Sequence, residues 1–163
     1  ESELAHIIKS YGEERRARRI ARSICYFRAE RGMATTADLR AAVEATRPQH
    51  LPKTLARVFQ ALRIAVNDEL GELRTGLEGA LESAKPGARV AVVTYHSLED
   101  RFVKEFFKDK AGRCLCPRHQ PVCTCGAKEE VKILTRKAVK PGADEVDDNR
   151  RSRSALLRVA EKL

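Results

Sequence analysis

The spacing of apolar residues predicts helices over the first half of the chain. Apolar side chains recur at intervals of three and four residues, at Leu4, Ile7, Ile8, Tyr11, Ile20, Ile24 and Phe27. Gly12 and Gly32 stand where helices of this kind end, and Thr35 or Thr36 is placed to cap a third helix. The long apolar stripe over 53–84 predicts either one helix or two that divide near Asn67-Asp68.

The pattern changes after Pro86-Gly87. Residues 88–95 form a nearly continuous apolar run, which is typical of a strand covered on both faces. Residues 97–110 predict an amphipathic helix, and 131–136 a short strand. An exposed, charged loop over 140–154 and a last strand over 155–163 complete the chain. The inward positions expected on the amphipathic helix are Leu98, Phe102, Val103 and Phe106. The fold class is therefore α/β, with a helical unit before the strands of a sheet.

Charge adds an expected partner to this picture. The 163 residues carry 32 Lys and Arg against 23 Asp and Glu, a formal charge of +9 that favours a polyanion such as nucleic acid. Four arginines share one face of the predicted second helix: Arg15, Arg18, Arg19 and Arg22. Two more, Arg151 and Arg153, precede the last predicted strand. We expect all six to contact RNA phosphates. The alternative for the helical set is a solvated face that pairs locally with Glu13, Glu14 and Glu30.

The chain shows neither a signal peptide nor an apolar run long enough to cross a bilayer, so we expect a cytoplasmic protein with no membrane partner. Of five cysteines, Cys25 lies in a helical pattern and is expected to be a small core residue. The others form two C-x-C pairs, Cys114 with Cys116 and Cys123 with Cys125. Four thiolates can hold one structural zinc ion, although C-x-C is tighter than the usual spacing. Free thiols or a redox pair are the alternatives, and His119 could replace one ligand.

The stretch TYHSLEDRF places an aromatic residue and an imidazole at the carboxyl end of the predicted strand, where open parallel sheets bind ligands. Ser97 and Asp100 match the spacing of a helix-capping box, which gives both a structural role. Tyr95 could stack on a base and His96 could form a hydrogen bond with it. The alternative is a packed aromatic residue beside a histidine bonded within the protein.

The nine glycines form no phosphate-binding loop of the G-x-G-x-x-G or G-x-x-x-x-G-K-[ST] type. Three predicted strands would also make a thin sheet. The sequence therefore predicts an incomplete α/β domain.

Four long stretches carry a resemblance to a known family. They are YGEERRARRIA (11–21), RVFQALRIAVNDEL (57–70), RVAVVTYHSLEDRFVK (89–104) and RSRSALLRVAEK (151–162). With these motifs the chain resembles the bacterial S-adenosylmethionine-dependent methyltransferases that modify cytosine N4 in 16S ribosomal RNA. Tyr95 stands where the family often has Phe, and Arg150 where it often has Pro.

The resemblance implies a Rossmann-like class I methyltransferase of which this chain holds the C-terminal strands, ending in an antiparallel strand. Residues 1–66 would be most of an inserted helical domain for substrate recognition, and 67–163 the C-terminal part of the methyltransferase domain. S-adenosylmethionine would be bound by an N-terminal half absent here, so the isolated chain is expected to be inactive.

The resemblance also implies that the turn after the first strand borders a pocket for a flipped base. From their placement at this turn, and not from roles carried over from the family, Tyr95 could stack on the cytosine and His96 could help to position it, while Asp100 or Arg101 could contact the base edge or a phosphate. The partner would be 16S ribosomal RNA or the small ribosomal subunit. The alternative hypothesis is a standalone zinc-bearing RNA-binding module without catalysis.

Overall fold

The computed structural model describes residues 1–114, 116 and 126–163. These residues divide into two compact units, Glu1–Gly71 and Glu72–Leu163. The elements are α1 (Ser2–Gly12), α2 (Ala17–Arg31), α3 (Thr36–Glu44), α4 (Leu51–Asn67), α5 (Glu69–Ser83), β1 (Arg89–Thr94), α6 (Ser97–Lys110), β2 (Val131–Ile133), α7 (Ala143–Asp148), a 3-10 helix (Arg150–Ser154) and β3 (Leu156–Lys162). In the described part of the chain, no helix has both the length and the apolar composition to cross a membrane.

The first unit consists of helices packed around an apolar core. Helix α1 packs on α2 and α4, and α3 packs on α2 and α4. The core contains Ala5, Ile8, Ala17, Ile20, Ala21, Ile24, Leu39, Ala42, Val43 and Val58. Gly12 permits the close approach of α1 to α4, because a Cβ atom at this position would lie 2.6 Å from the carbonyl oxygen of Arg57. The apolar residues that recur every three or four positions in the sequence thus form the buried faces of these helices, as Ile8, Ile20 and Ile24 show.

Local capping chemistry sets several helix ends in this unit. Thr35 and Asp38 form a complete capping box at the start of α3, which confirms the first of the two predicted caps. Gly32 ends α2 with a positive φ of 72°. The stripe over 53–84 is two helices, since Asp68 adopts the left-handed conformation (φ 47°) between α4 and α5. Helix α2 begins at Ala17, and Glu14 is buried just before it.

The second unit contains a sheet with strand order β1-β3-β2, in which β3 is antiparallel to both neighbours. An antiparallel last strand is what the resemblance implied. Helix α6 packs on one face of the sheet around Val103, Phe106, Phe107 and Ala160. Phe107 is only 1 % exposed, so the predicted set of inward residues on α6 omitted one of its most buried members.

The other face of the sheet is open, contrary to the expectation that β1 is covered on both sides. Side chains alternate along β1, and Val90 and Val92 pack on the core while Ala91 and Val93 point the other way. Val93 is 52 % exposed. On this face Val93 and Leu157 border a shallow pocket together with Glu145 of α7, and the apolar strand is left half-exposed.

The prediction of an exposed loop over 140–154 is also wrong. It contains α7 and the 3-10 helix, and Ser152 is buried. The hydroxyl of Ser152 donates to the carbonyl oxygen of Asn149 at 2.8 Å, and the side chain of Asn149 accepts from the backbone N–H of Arg151 at 3.1 Å. Ser and Asn side chains favour such local bonds, so the segment is folded into short helical turns.

Candidate functional site

The turn after β1 begins with a buried residue and continues with an exposed aromatic one. Thr94 is 2 % exposed, and its hydroxyl donates to the carbonyl oxygen of Leu156 on β3 at 3.3 Å. The next residue, Tyr95, is 57 % exposed. The end of β1 is therefore fixed by its neighbour strand, while the phenol ring that follows it is open to solvent.

His96 caps α6. Its backbone is extended, and its Nδ1 atom accepts the backbone N–H of Glu99 at 3.3 Å. The predicted cap at Ser97 is wrong by one position, because Ser97 is the first residue of the helix itself. Since Nδ1 accepts a hydrogen bond, a neutral ring carries its proton on Nε2. The capping bond thus fixes the orientation of the imidazole.

The carboxylate of Glu99 contacts both Tyr95 and His96 of this turn. One oxygen accepts the backbone N–H of Tyr95 at 2.9 Å, and the other lies 3.1 Å from Nε2 of His96. The second contact is close in distance, yet Nε2 is buried without a well-aligned hydrogen-bond partner in the part of the chain that is described. The contact with His96 is therefore electrostatic, whereas the contact with the backbone of Tyr95 is a well-aligned hydrogen bond. Glu99 was absent from the predicted site, although His96-x-x-Glu99 has the same spacing as Ser97-x-x-Asp100.

Asp100 forms a bidentate ion pair with Arg158. The guanidinium donates to both carboxylate oxygens, at 2.6 and 2.9 Å, and joins α6 to β3. Arg158 is 7 % exposed. Both oxygens of Asp100 are thus engaged inside the protein, whereas Arg101 is exposed on the same helix. The predicted contacts of Asp100 and Arg101 with substrate stay predictions.

In the first unit, the predicted arginine set lines an open cleft of about 1160 Å³. Arg15, Arg18, Arg19 and Arg22 are all exposed and share the cleft with Lys9. Arg22 lies 3.5 Å from the carboxylate of Glu1, at the surface, where such pairs contribute little.

The neighbouring Arg16 differs from the predicted set. It donates to the carbonyl oxygens of Thr46 and Arg47, at 2.5 and 3.0 Å. Arg16 also lines the cleft, but its guanidinium group is engaged by the chain itself.

The other predicted sites are placed in part. Arg151 and Arg153 are exposed on the 3-10 helix. Cys114 is exposed and Cys116 is half-buried, whereas Cys123 and Cys125 lie outside the described residues. The predicted zinc site therefore stays a prediction. Cys25, expected in the core, is half-buried.

Known proteins resemble this chain along its whole length. It is 46% identical over 165 residues to the "Ribosomal RNA small subunit methyltransferase H" of Caldicellulosiruptor saccharolyticus, covering 100% of this chain and 54% of that protein. The protein of the same name from Carboxydothermus hydrogenoformans is 47% identical over 169 residues, covering 100% of this chain and 53% of that protein. The Heliobacterium mobile protein is 48% identical over 167 residues, with 100% and 54% covered.

The chain thus spans about half the length of the curated relatives it matches. The family model described as the MraW methylase family matches residues 1–163. The resemblance read from the four sequence stretches is confirmed: this chain belongs to the MraW methylase family of methyltransferases.

Proposed function

We propose that this chain is the C-terminal portion of an S-adenosylmethionine-dependent enzyme that methylates N4 of a cytidine in 16S ribosomal RNA. The observation that carries the proposal is the match of all 163 residues to the MraW methylase family, with relatives named for methylation of small-subunit ribosomal RNA. The substrate is 16S ribosomal RNA or the small ribosomal subunit that contains it.

Tyr95 is the residue of the β1–α6 turn that is best placed to meet a base. It is 57 % exposed at the end of β1, and its backbone N–H is held by Glu99 at 2.9 Å. An aromatic ring held in this way can stack on an unpaired cytosine, and such stacking contributes about 1–3 kcal/mol per base. The phenol ring is free to face a ligand while its backbone stays fixed.

His96 and Glu99 act as positioning residues in this proposal. The imidazole accepts from the backbone of Glu99, and the carboxylate of Glu99 faces both the imidazole and Tyr95. Asp100 is engaged by Arg158. Because the acidic groups of the turn already have partners inside the protein, we propose that the turn aligns the cytosine, and alignment alone can supply much of a rate enhancement.

The methyl donor would supply an electrophilic methyl group to the exocyclic amine of the base. The residues of this chain do not fit a site for it, because no glycine-rich turn follows a strand and the turn after β1 is Tyr-His-Ser. We therefore place S-adenosylmethionine on residues outside this chain. The isolated chain should neither bind the donor nor methylate RNA.

The cleft of the first unit is proposed to hold RNA phosphates. Each of Arg15, Arg18, Arg19 and Arg22 is exposed, and guanidinium groups form charge-assisted hydrogen bonds with phosphate oxygens. Arg151 and Arg153 are proposed as further phosphate contacts in the second unit. A zinc ion on the four clustered cysteines is proposed as a structural element outside the reaction.

The test uses the complete protein that contains this chain. It should be incubated with unmethylated 16S ribosomal RNA and, separately, with small ribosomal subunits, in the presence of S-adenosylmethionine. Nuclease digestion and mass spectrometry of the nucleosides should show N4-methylcytidine, and Tyr95→Ala should lower its rate of formation more than Tyr95→Phe does. RNA binding without any methyl transfer would contradict the proposal and favour the RNA-binding module.

A further inference from the structure

A cavity of about 390 Å³ lies in the second unit between the C-terminal half of α6 and the edge strand β2. Its apolar floor includes Phe107 and Ile133, and Lys104, Lys108 and Arg136 line its rim. Lys132 also borders the cavity, but its neighbours Val131 and Ile133 face the core, so strand alternation directs the Lys132 side chain to the opposite face of the sheet. The volume falls within the range of about 300–1,000 Å³ that is usual for small-ligand pockets. The cavity therefore combines an apolar surface with a cationic rim.

The helix contributes two of these cations on one face. Lys104 and Lys108 are one turn apart, so their side chains lie side by side on α6. Lys108 donates to Glu105 at 3.1 Å, and hydrogen bonds from Lys108 and Arg113 hold the pKa of Glu105 below its ordinary value. Lys108 is therefore largely compensated within its own helix.

The other cations are not compensated in this way. Within residues 1–114, 116 and 126–163, Lys104, Lys132 and Arg136 form no ion pair. Arg158 also lines the cavity, but its charge is matched by Asp100 at 2.6 and 2.9 Å, and Glu129 is the acidic group on the wall. Cations that converge on one concave surface attract an anion.

The cavity is distinct from the turn after β1. Helix α6 rises about 1.5 Å per residue, so Lys104 and Lys108 lie roughly 10 to 16 Å along the axis from the start of the helix at Ser97. The Asp100–Arg158 pair stands between the two places, with Arg158 on the cavity wall. An RNA bound at the turn would thus have other nucleotides within reach of the cavity.

We propose that this cavity is a second RNA-contact site, which takes a phosphate and its nucleotide near the one that is methylated. The inference rests on the proposed function, since it assigns the anion to the same RNA. The phosphate is held by Lys104 and Arg136, and the apolar part of the nucleotide lies on the floor at Ile133.

The experiment measures RNA affinity of the complete protein against salt concentration, with labelled 16S ribosomal RNA as the probe. The double variant Lys104→Gln, Arg136→Gln removes the uncompensated cations that face the cavity. The matched control, Arg40→Gln, Lys53→Gln, removes the same charge from exposed positions that do not line the cavity. The slope of log K against log salt is negative, and each lost contact with single-stranded phosphate should make it less negative by about 0.7. The slope of the cavity variant should therefore become less negative by about 1.4, and that of the control by much less.

A conservative variant guards against a folding defect. Lys104→Arg, Arg136→Lys keeps the charges and should keep a slope close to that of the wild type. If the cavity variant shows the same slope as the charge-matched control while wild-type protein methylates the RNA, the inference is overturned and the proposed function stands. If the cavity variant loses slope but wild-type protein transfers no methyl group, the proposed function fails and RNA contact at the cavity stands.

Discussion

The polar side chains of the turn after β1 and the arginines at the start of α2 have different surroundings. In the turn, His96, Glu99 and Asp100 all have partners inside the protein, and only 16 % of the His96 side chain is exposed. Arg15, just before α2, and Arg18 and Arg19 on α2 are exposed around an open cleft. Groups that bind one another fix a geometry, whereas exposed cations offer their charge to a partner. The turn should therefore control turnover and stability, and the cleft should control RNA affinity.

The largest effect on stability should come from the Asp100–Arg158 pair. Asp100→Ala leaves the guanidinium of Arg158, whose side chain is 9% exposed, without its partner. Removing one member of a buried pair costs about 3–5 kcal/mol, and we expect about 3 kcal/mol because the side chain of Asp100 is 17% exposed. Urea unfolding of the complete protein measures this, with the exposed Asp148→Ala as the control.

The double variant Asp100→Leu, Arg158→Met sharpens the result. Replacement of both charges by apolar groups should recover most of the lost stability, since it leaves no unpaired buried charge. A loss of less than about 1 kcal/mol for Asp100→Ala would mean that the pair contributes no more than a surface salt bridge.

Tyr95 should act on turnover and leave stability nearly unchanged. Tyr95→Ala removes a ring that is 57 % exposed, so the folded state loses little buried surface. Loss of stacking on the base should lower kcat/KM by a factor of about 5 to 150, which corresponds to about 1–3 kcal/mol. Tyr95→Phe should retain most of the rate. An unfolding midpoint that falls in step with the rate would instead assign Tyr95 to packing.

The cap of α6 should give a smaller effect on stability. His96→Ala removes the acceptor for the backbone N–H of Glu99 and should cost about 0.5–2 kcal/mol. Ser97→Ala should cost less, because the structure assigns the cap to the preceding residue. Thermal unfolding of both variants decides the assignment, and a larger loss for Ser97→Ala would return the cap to the position predicted from sequence.

The smallest effect should come from the capping box of α3 and should depend on pH. The hydrogen bond from the Thr35 hydroxyl, with the backbone bonds of Thr35 and Ala34, holds the pKa of the Asp38 carboxyl below its ordinary value. A lowered pKa stabilises the fold above the unfolded-state pKa, and this stability is lost as pH falls through the folded-state pKa. Thr35→Ala should therefore destabilise at pH 7 and show less further loss below about pH 4. Unfolding midpoints at pH 7 and pH 3 measure both; equal acid losses in wild type and variant would contradict it.

Features that depend on nearby residues were predictable from the sequence. The helix start at Thr35 or Thr36 and the end of α2 at Gly32 each follow from residues within one helical turn. The sequence left open whether 53–84 is one helix or two, and the structure divides it at Asp68, within the predicted Asn67-Asp68 position. Helical spacing likewise located the buried positions Ile20 and Ile24. Short-range rules suffice here because both partners lie in the same stretch of chain.

Features that depend on distant residues were missed. Asp100 and Arg158 are 58 residues apart, and nothing near either one reveals the pair. Phe107 was left out of the inward set because the direction of α6 relative to the sheet decides which edge of its apolar stripe is buried. The spacing of His96 and Glu99 was present in the sequence, but Ser97 and Asp100 offered an equally good cap, and only the structure distinguishes them.

The most direct test of the central division compares two variants of the complete protein on 16S ribosomal RNA. One is Tyr95→Ala, and the other replaces Arg15, Arg18, Arg19 and Arg22 by Gln. Single-turnover methylation at saturating RNA and the salt dependence of RNA affinity are measured for both. We predict that Tyr95→Ala slows methylation and leaves the slope of log K against log salt unchanged. In the arginine variant, the loss of four phosphate contacts should make this negative slope less negative by about 3, while the methylation rate at saturating RNA stays near that of the wild type. An arginine variant with an unchanged salt slope, or one whose saturated rate falls as far as that of Tyr95→Ala, would contradict the division.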